Sequence, residues 1–176
     1  MRKLLFGLVA ASLALSTATA RVTTDSDPSA QFSTYRTFYW AEKPETPSPL
    51  TQQRIVDGIN ARLQAKGWTL GETGDIALAA HVTTSQRQTL DTFYTGGTMG
   101  GWGWRGWGGM GTATTTVRTY NEGTLVVDMF DTRTRQAVWR GTATETISSS
   151  PDKVVKKITK VLDKMFKDFP PQAGSD

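Results

Sequence analysis

The stretch Tyr120–Gly141, YNEGTLVVDMFDTRTRQAVWRG, decides the fold of this chain because it has the pattern of a central β-hairpin. Its first strand has apolar residues on both parities: Leu125, Val127 and Met129 on one, and Val126 and Phe130 on the other. Because successive side chains of a strand point to opposite faces, both faces of this strand should be at least partly covered. That pattern predicts a strand in the centre of a sheet.

The second half of the stretch predicts a turn and a return strand. Polar residues 131–136, DTRTRQ, are typical of a turn. In the return strand, residues 137–147, one parity is mainly apolar: Ala137, Trp139, Gly141, Ala143 and Ile147. The other parity is mainly polar: Val138, Arg140, Thr142 and Thr144. We therefore expect the Trp139 side to face a core and the Arg140 side to face outward.

The first 20 residues predict a secretory signal peptide. Arg2 and Lys3 precede an apolar run from Leu4 to Leu15, and Ala18-Thr19-Ala20 forms a small-x-small cleavage site before Arg21. The apolar run is short for a bilayer span, and no later segment is apolar enough to cross a membrane. The expected location is the periplasm or cell envelope, with no transmembrane segment after cleavage.

Composition limits the remaining possibilities. Residues 21–171 are long enough for a single domain, with a polar tail at 172–176. Cysteine is absent, which excludes disulfides, thiolate chemistry and a lipid-modified N-terminal cysteine. Loss of Arg2 and Lys3 lowers the formal charge from +4 to about +2, so a nucleic-acid partner is not expected.

Two amphipathic helices are predicted. Ser48 and Pro49 predict the start of the first and Gly67 its end, with an apolar stripe between them at Ile55, Val56, Ile59 and Leu63. The second spans Pro151–Phe169 and has a lysine-rich face. That lysine face is explained as a solvated surface or, less simply, as a contact for anionic lipid or glycan.

The remaining segments predict strands. Phe32–Trp40 is aromatic and threonine-rich, residues 68–70 begin a short strand, and residues 21–30 are expected to be loose. Asp75–Tyr94 and Thr112–Phe130 have mirrored patterns, apolar near one end and polar near the other. We expect them to pair as one long hairpin whose outer half is a polar arm with a bend or bulge.

The hairpin would carry a glycine- and tryptophan-rich loop at its tip. Nine of the sixteen residues in Gly96–Gly111 are glycine, and three of the six tryptophans of the chain lie there. Indoles on a pliable backbone suit a membrane interface, a sugar ring or a protein groove. The candidate partner-binding residues are Met99, Trp102, Trp104, Arg105, Trp107 and Met110. A loop that is disordered, or folded back on its own sheet, is the alternative.

Several motifs resemble one protein family. They are the aromatic strand ending at Trp40, the helix ending at Lys66-Gly67, the Gly/Trp-rich insert, Glu122-Gly123-Thr124-Leu125, Val127-Asp128, Trp139-Arg140-Gly141 and the terminal Phe169-Pro170-Pro171. Together they resemble the bacterial "domain of unknown function 4136" family of envelope proteins, over roughly Thr24 to Pro171. Many relatives resemble lipoproteins, whereas this chain lacks the modifiable cysteine. The resemblance supplies no activity and no catalytic residues.

Catalytic and cofactor motifs are weak. Residues 101–106, GWGWRG, match GxGxxG, but threonines follow where a dinucleotide site needs a helix. His81 is the only histidine, so a metal site or general base lacks the usual partners. No cofactor and no metal is expected.

We expect an α+β domain of order β-α-β-β-β-β-α, with a mainly antiparallel sheet and both helices on one face. The expected function is a non-catalytic envelope module that binds an envelope protein, a glycan or a membrane surface through the Gly/Trp loop. A hydrolase of envelope glycan using Asp128 with Glu122 or Glu145 is one alternative. A structural protein that self-associates through the arm is the other.

Overall fold

The computed structural model describes residues 20–95 and 112–171. Its regular elements are β1 (Arg21–Ser26), β2 (Thr37–Glu42), α1 (Pro49–Ala65), β3 (Thr69–Leu70), β4 (Ile76–Thr95), β5 (Thr112–Asp131), β6 (Ala137–Thr146) and α2 (Pro151–Met165). A single 3₁₀ turn, Phe32–Thr34, precedes β2. The α+β class with two helices is confirmed.

The sheet is mixed, which corrects the expectation of a mainly antiparallel one. Its six strands lie in the order β1-β6-β5-β4-β2-β3. The pairs β1–β6, β6–β5 and β5–β4 are antiparallel, whereas β2 runs parallel to both β3 and β4. The physical reason is that α1 follows β2 and returns the chain to the same end of the sheet, which makes a parallel crossover.

Strand β1 was not predicted. Arg21–Ser26, expected to be loose, pairs antiparallel with β6, and Val22 lies opposite Ala143. The observed order is therefore β-β-α-β-β-β-β-α. A polar edge strand is held by backbone hydrogen bonds, so no run of apolar residues marks it in the sequence.

The strand predicted at Phe32–Trp40 begins later, at Thr37. The Asp75 carboxylate accepts hydrogen bonds from the backbone N–H groups of Arg36 (2.8 Å) and Thr37 (3.0 Å), which fixes the turn into β2. Phe32 belongs to a cluster of edge-to-face aromatic rings that closes the core at this end of the sheet. The cluster consists of Phe32, Tyr35, Trp68, Trp139, Phe166 and Phe169, with ring centroids 5.3 to 6.1 Å apart.

The helix boundaries follow the predicted caps at three of four ends. The Ser48 side chain accepts from the Thr51 N–H (3.4 Å), and Gly67 has the positive φ of 87° that ends α1. Helix α2 ends at Met165 and not at Phe169, because Phe169 turns back into the aromatic cluster.

Both helices cover the same face of the sheet and touch each other closely. A Cβ atom on Gly58 of α1 would lie 2.6 Å from Leu162 Cδ1 of α2, so a larger residue there would require the Leu162 side chain to move. On the sheet side, a Cβ on Gly141 would lie 2.7 Å from the Met165 sulfur. Ile76, Leu78, Val127 and Met129 face the helices from β4 and β5 and are fully buried.

The long hairpin of β4 and β5 has an unbroken register, from Ile76 opposite Asp131 to Thr95 opposite Thr112. The predicted bulge is therefore wrong for this pair of strands. Register shifts occur instead at Met129/Phe130 of β5 and in the pairing of β2 with β4. Beyond Glu122 the hairpin has no third strand among the described residues. We call this outer ribbon, Gln86–Thr95 paired with Thr112–Asn121, the arm.

Candidate functional site

The arm is the most exposed part of the described chain. Its residues 86–90 and 115–119 are exposed, including Leu90 (67% exposed) and Val117 (54% exposed). Leu90 and Val117 are cross-strand neighbours, so they form one apolar pair on one face of the arm. A two-stranded ribbon is marginally stable by itself in water, and among the described strands none pairs with either outer edge of the arm. These properties are typical of an element that contacts a partner.

The base of the arm is fixed to the sheet by polar contacts. Arg87 Nε donates to Glu122 Oε2 (3.0 Å) across the two strands. The Thr124 and Thr144 hydroxyls lie 3.0 Å apart and join β5 to β6 at the same level. The arm therefore leaves the sheet from an ordered base.

An apolar groove of about 420 Å³ lies beside this base, on the helix-covered face of the sheet. It opens between the starts of α1 and α2 and the strands β4, β5 and β6. Its main apolar contributors are Ile55, Val82, Leu125, Ala143, Ile147 and Ile158. Hydroxyl side chains, among them those of Ser48, Thr84 and Ser148, also line it. We call it the base groove. A mostly apolar cavity of this size with a few polar groups is typical of a ligand or docking site.

Gly123 helps to keep the base groove open. A Cβ atom there would lie 3.3 Å from Ile147 Cγ1 and 3.5 Å from Ile147 Cδ1. Ile147 was expected on the core face of the return strand, but β6 ends at Thr146 and Ile147 is 46% exposed. Its N–H still donates to Asn121 O (2.7 Å), which holds its side chain at the groove.

One charged pair lines the base groove and is satisfied within the chain. Lys157 Nζ donates to Glu145 Oε1 (2.9 Å) and to Thr146 O (2.5 Å). The other lysines of α2, at positions 153, 156, 160 and 164, are exposed, as the solvated-face interpretation expects. The pair removes net charge from the groove wall.

A second, larger cleft of about 1060 Å³ lies at the opposite end of the sheet, next to the aromatic cluster. It is bounded by residues 24–33 and by the chain after α2, with Lys66, Lys164 and Lys167 among its lining residues. Its lining is much more polar than that of the base groove. A third opening of about 380 Å³, also polar, lies at the base of the arm and is lined by Arg87, Tyr120 and Glu122 among others. The base groove is therefore the mainly apolar one of these three openings.

The carboxylates proposed for hydrolysis do not meet. Asp128 is bound to Arg140 on the face without helices, with contacts of 2.5 and 3.0 Å. Glu145 is on the helix-covered face, bound to Lys157. Glu122 shares the Asp128 face but lies six residues along the same strand, about 20 Å away. Glycosidase chemistry requires carboxyl groups about 5–10 Å apart, so neither pair fits that mechanism.

The buried acid at the turn of the central hairpin has a structural role. Asp131 accepts from the Tyr35 hydroxyl (2.9 Å) and from the backbone N–H groups of Arg133 (2.7 Å) and Thr134 (3.1 Å). Burial by itself would raise the pKa of Asp131, but these hydrogen bonds lower it to about 2. Burial and the contact with Asp131 raise the pKa of Tyr35 to about 12. The pair locks the turn to the core.

His81 is exposed on the face without helices. Its Nδ1 lies 3.5 Å from Glu42 Oε1, and both side chains are about half exposed. Asp75, the nearest acid in sequence, binds the start of β2 instead. Within the part of the chain that the structure describes, no group of three metal-ligating side chains comes together.

The predicted partner-binding residues Met99, Trp102, Trp104, Arg105, Trp107 and Met110 lie outside the described residues, as does the GxGxxG match at 101–106. The structure describes the arm up to Thr95 and from Thr112, on either side of these residues. The base groove was missed by sequence reasoning, because it combines residues of five separate segments. Two sequence features could have indicated the groove: Gly123 within the Glu122–Leu125 motif, and the apolar Ile147 that follows a polar run.

Among residues 20–95 and 112–171, neither helix has the length and apolar character that a membrane crossing requires.

Comparison with known proteins identifies a family and a fold. The family model described as "Domain of unknown function (DUF4136)" matches residues 22–171. No curated protein matches this chain.

Two solved structures have a similar fold at low identity. The PelC dodecamer from Paraburkholderia phytofirmans is 14% identical with a TM-score of 0.50, and the alignment covers 84% of this chain and 95% of that chain. A PDZ domain protein from Parabacteroides distasonis is 13% identical with a TM-score of 0.51, covering 87% of this chain and 35% of that chain. At such identities the likeness concerns the fold alone.

Proposed function

Because this chain belongs to the family of the domain of unknown function DUF4136, matched over residues 22–171, we propose that it is a non-catalytic assembly module of the cell envelope. Its contact element is the arm together with the Gly/Trp loop that the arm carries. The partner is an envelope protein, a glycan or a membrane surface, and further copies of the chain belong to the same assembly.

The observation that carries this proposal is the exposure of the arm. Leu90 and Val117 form an exposed apolar pair, on a ribbon that no third strand joins among the described residues. Apolar surface and unpaired strand edges are costly unless a partner covers them, and ribbons of this kind bind by adding strands or by packing. The core between the sheet and the two helices contains no described residue of the arm.

Two further points support the envelope and the assembly. Residues 1–20 have the three regions of a secretory signal peptide, which would deliver the domain to the envelope. The similar PelC structure is that of a dodecamer, a precedent for this fold in a multi-copy assembly.

The proposal is tested by shortening the arm without disturbing its base. Arg87 pairs with Tyr120, so replacement of Gln88–Thr119 by Asn-Gly creates a two-residue hairpin turn that matches the register. The shortened chain should unfold in urea within about 0.5 kcal/mol of the full chain, because the removed residues whose burial the structure describes, 88–90 and 115–119, are all exposed. Expressed with its leader in the source bacterium, it should be absent from the large envelope complexes that the full chain enters.

A matched control separates the arm from its tip. Joining Thr95 to Thr112 through the same Asn-Gly turn removes only Gly96–Gly111 and leaves the arm strands intact. Complexes of unchanged size and amount with the shortened arm would contradict the proposal. Loss with both variants assigns the contact to the tip, and loss with the shortened arm alone assigns it to the strands.

A further inference from the structure

We propose that the base groove is a docking site for the Gly/Trp segment, Gly96–Gly111, of a second copy of this chain. The inference rests on the proposed function, for which it names a partner and a contact. Each copy would then offer one tip and one groove.

The base groove has the chemistry of a receptor for large, weakly polar side chains. Val82, Leu125 and Ala143 contribute apolar surface from three neighbouring strands. Gly123 leaves space that any side chain would occupy. Buried apolar pockets that accept one or two aromatic anchors supply most of the binding energy in protein interfaces.

The charges of the groove argue against an anionic lipid as its occupant. Its lysine, Lys157, is already bound to Glu145 and to the carbonyl of Thr146. An anionic headgroup would have to break these contacts. A neutral apolar occupant leaves them in place.

The Gly/Trp segment has the complementary chemistry. It contains three tryptophans and two methionines, and Arg105 is its only charged residue. Tryptophan, methionine and arginine are enriched at interface cores, and an indole N–H can donate to a hydroxyl at the groove. Thr84 and Ser148 are two of the hydroxyl residues that line it. Glycines on either side allow close approach of the backbone.

The tip of one copy is poorly placed to fill the groove of the same copy. Eleven residues of strand separate Thr84, at the groove, from Thr95, at the end of the arm, a length of about 35 Å. The Cα atom of Trp104, eight residues before Thr112, can extend at most about 30 Å back along the arm, and only when the chain between them is fully extended. The other two tryptophans are closer to the strand ends and extend less far. Even at full extension the Trp104 indole touches only the edge of the groove, so we assign the groove that a tip enters to another copy.

This contact is head-to-tail, because the tip and the groove are different surfaces. Head-to-tail contacts close into rings or continue as filaments, according to the rotation between neighbours. The exposed Leu90–Val117 pair is on the same face of the ribbon as the groove, so a docked neighbour can also cover it. The inference thus accounts for the open base groove and for the exposed Leu90–Val117 pair.

Disulfide trapping tests the contact directly, because the chain contains no cysteine. One variant carries Ile147→Cys in the groove and another carries Trp104→Cys in the tip, and the two full-length proteins are mixed under mild oxidation. The expected product is a disulfide-linked heterodimer on a non-reducing gel. The control partner is Thr83→Cys, exposed on the opposite face of β4 and not at the groove.

A groove-filling variant provides the second arm of the test. Gly123→Leu adds a side chain on the groove face of β5 beside position 147, and Thr83→Leu adds the same group on the other face. Gly123→Leu in the Ile147→Cys copy should lower heterodimer formation at least about 10-fold, and Thr83→Leu should leave it unchanged. Both variants must show the cooperative urea unfolding of the parent.

Three results would overturn the inference. They are equal trapping by Thr83→Cys, trapping that Gly123→Leu does not reduce, and binding of a fluorescent fatty acid that Gly123→Leu blocks while assembly is unchanged. If the shortened arm also fails to enter envelope complexes in these cases, the proposed function stands and only the second-copy contact is wrong. If the shortened arm enters them normally, the proposed function itself is wrong.

Discussion

Asp131→Asn should remove a pH-dependent part of the stability of this protein. The carboxylate is 3% exposed and accepts from the Tyr35 hydroxyl and from the N–H groups of Arg133 and Thr134. An asparagine has nearly the same shape as the aspartate. Its side-chain oxygen can still accept from the N–H groups of Arg133 and Thr134, and the Tyr35 hydroxyl can rotate to accept from its amide NH₂. The substitution therefore tests the charge, with little change in packing.

The magnitude follows from the lowered pKa. Asp131 has a pKa of about 2 in the folded protein, against an ordinary value of 3.8. A carboxyl group whose pKa is lower in the folded state stabilises the fold above its unfolded pKa and loses that contribution as the pH falls through the folded value. The contribution is about 2 kcal/mol at pH 7, about half of that at pH 3, and small at pH 2.

The assay is urea unfolding followed by tryptophan fluorescence, at several pH values from 7 to 2, on the parent and on Asp131→Asn. The free energy of unfolding of the parent should exceed that of the variant by about 2 kcal/mol at neutral pH, and the difference should shrink below pH 4. Taking the difference cancels the titration of Asp75, whose pKa is also lowered, by hydrogen bonds from Arg36 and Thr37. A difference that stays constant down to pH 2, or an Asn variant as stable as the parent at pH 7, would refute the reasoning.

Three other substitutions test the packing and the polar contacts. Gly141→Val should lower the free energy of unfolding by about 1–3 kcal/mol, because a Cβ there would lie 2.5 Å from the Trp139 ring and 2.7 Å from Met165 of α2. Urea unfolding measures this, and a variant as stable as the parent would contradict both close approaches. Arg140→Met should lower the free energy of unfolding by about 1–3 kcal/mol, because it leaves the buried Asp128 without its guanidinium partner. The same substitution should lower it much less when Asp128→Asn is already present. A double-mutant cycle that shows no coupling between the two positions would exclude the ion pair as a stabilising contact. Gly67→Ala should cost about 1 kcal/mol through its positive φ alone, since a Cβ there meets nothing within 4 Å; an unchanged thermal midpoint would contradict the strain.

The two ends of the described chain differ in their chemistry. One end is closed by the aromatic cluster, where rings such as Trp139 and Phe169 pack at 5.4 Å. At the other end both helices begin, the base groove remains open, and the arm leaves the sheet. The core itself extends between the two ends and includes Ile55, Leu125 and Ala143 beside the base groove. Apolar surface at the arm therefore lies next to a packed core, which is the arrangement that an assembly module requires.

Local signals predicted the helix ends and the central strand, and these predictions agree with the structure. Ser48 caps α1 through its side chain, and Gly67 takes the left-handed conformation that ends it. The apolar residues on both parities of β5 correspond to its position between β4 and β6. Capping, positive φ and side-chain alternation depend on neighbours in sequence, so a single sequence contains the necessary information.

The candidate site was predictable only in part. The mirrored patterns of residues 75–94 and 112–130 predicted the long hairpin and hence the arm. The base groove depends on how far the starts of two helices stand from the sheet, which no local pattern specifies. The acid pair of Asp128 and Glu145 was wrong because strand parity puts the two carboxylates on opposite faces, as the register of β5 and β6 makes plain.

The sequence by itself determined the α+β composition, the caps of α1, the pairing of the central hairpin and the absence of cysteine chemistry, since each follows from residue type and local spacing. Only the tertiary structure decided that β2 runs parallel to β4, that Arg21–Ser26 completes the sheet edge, and that a groove stays open beside Gly123. Those features arise from contacts between residues far apart in the chain. Their free energy depends on the shapes and distances of surfaces that meet only after folding.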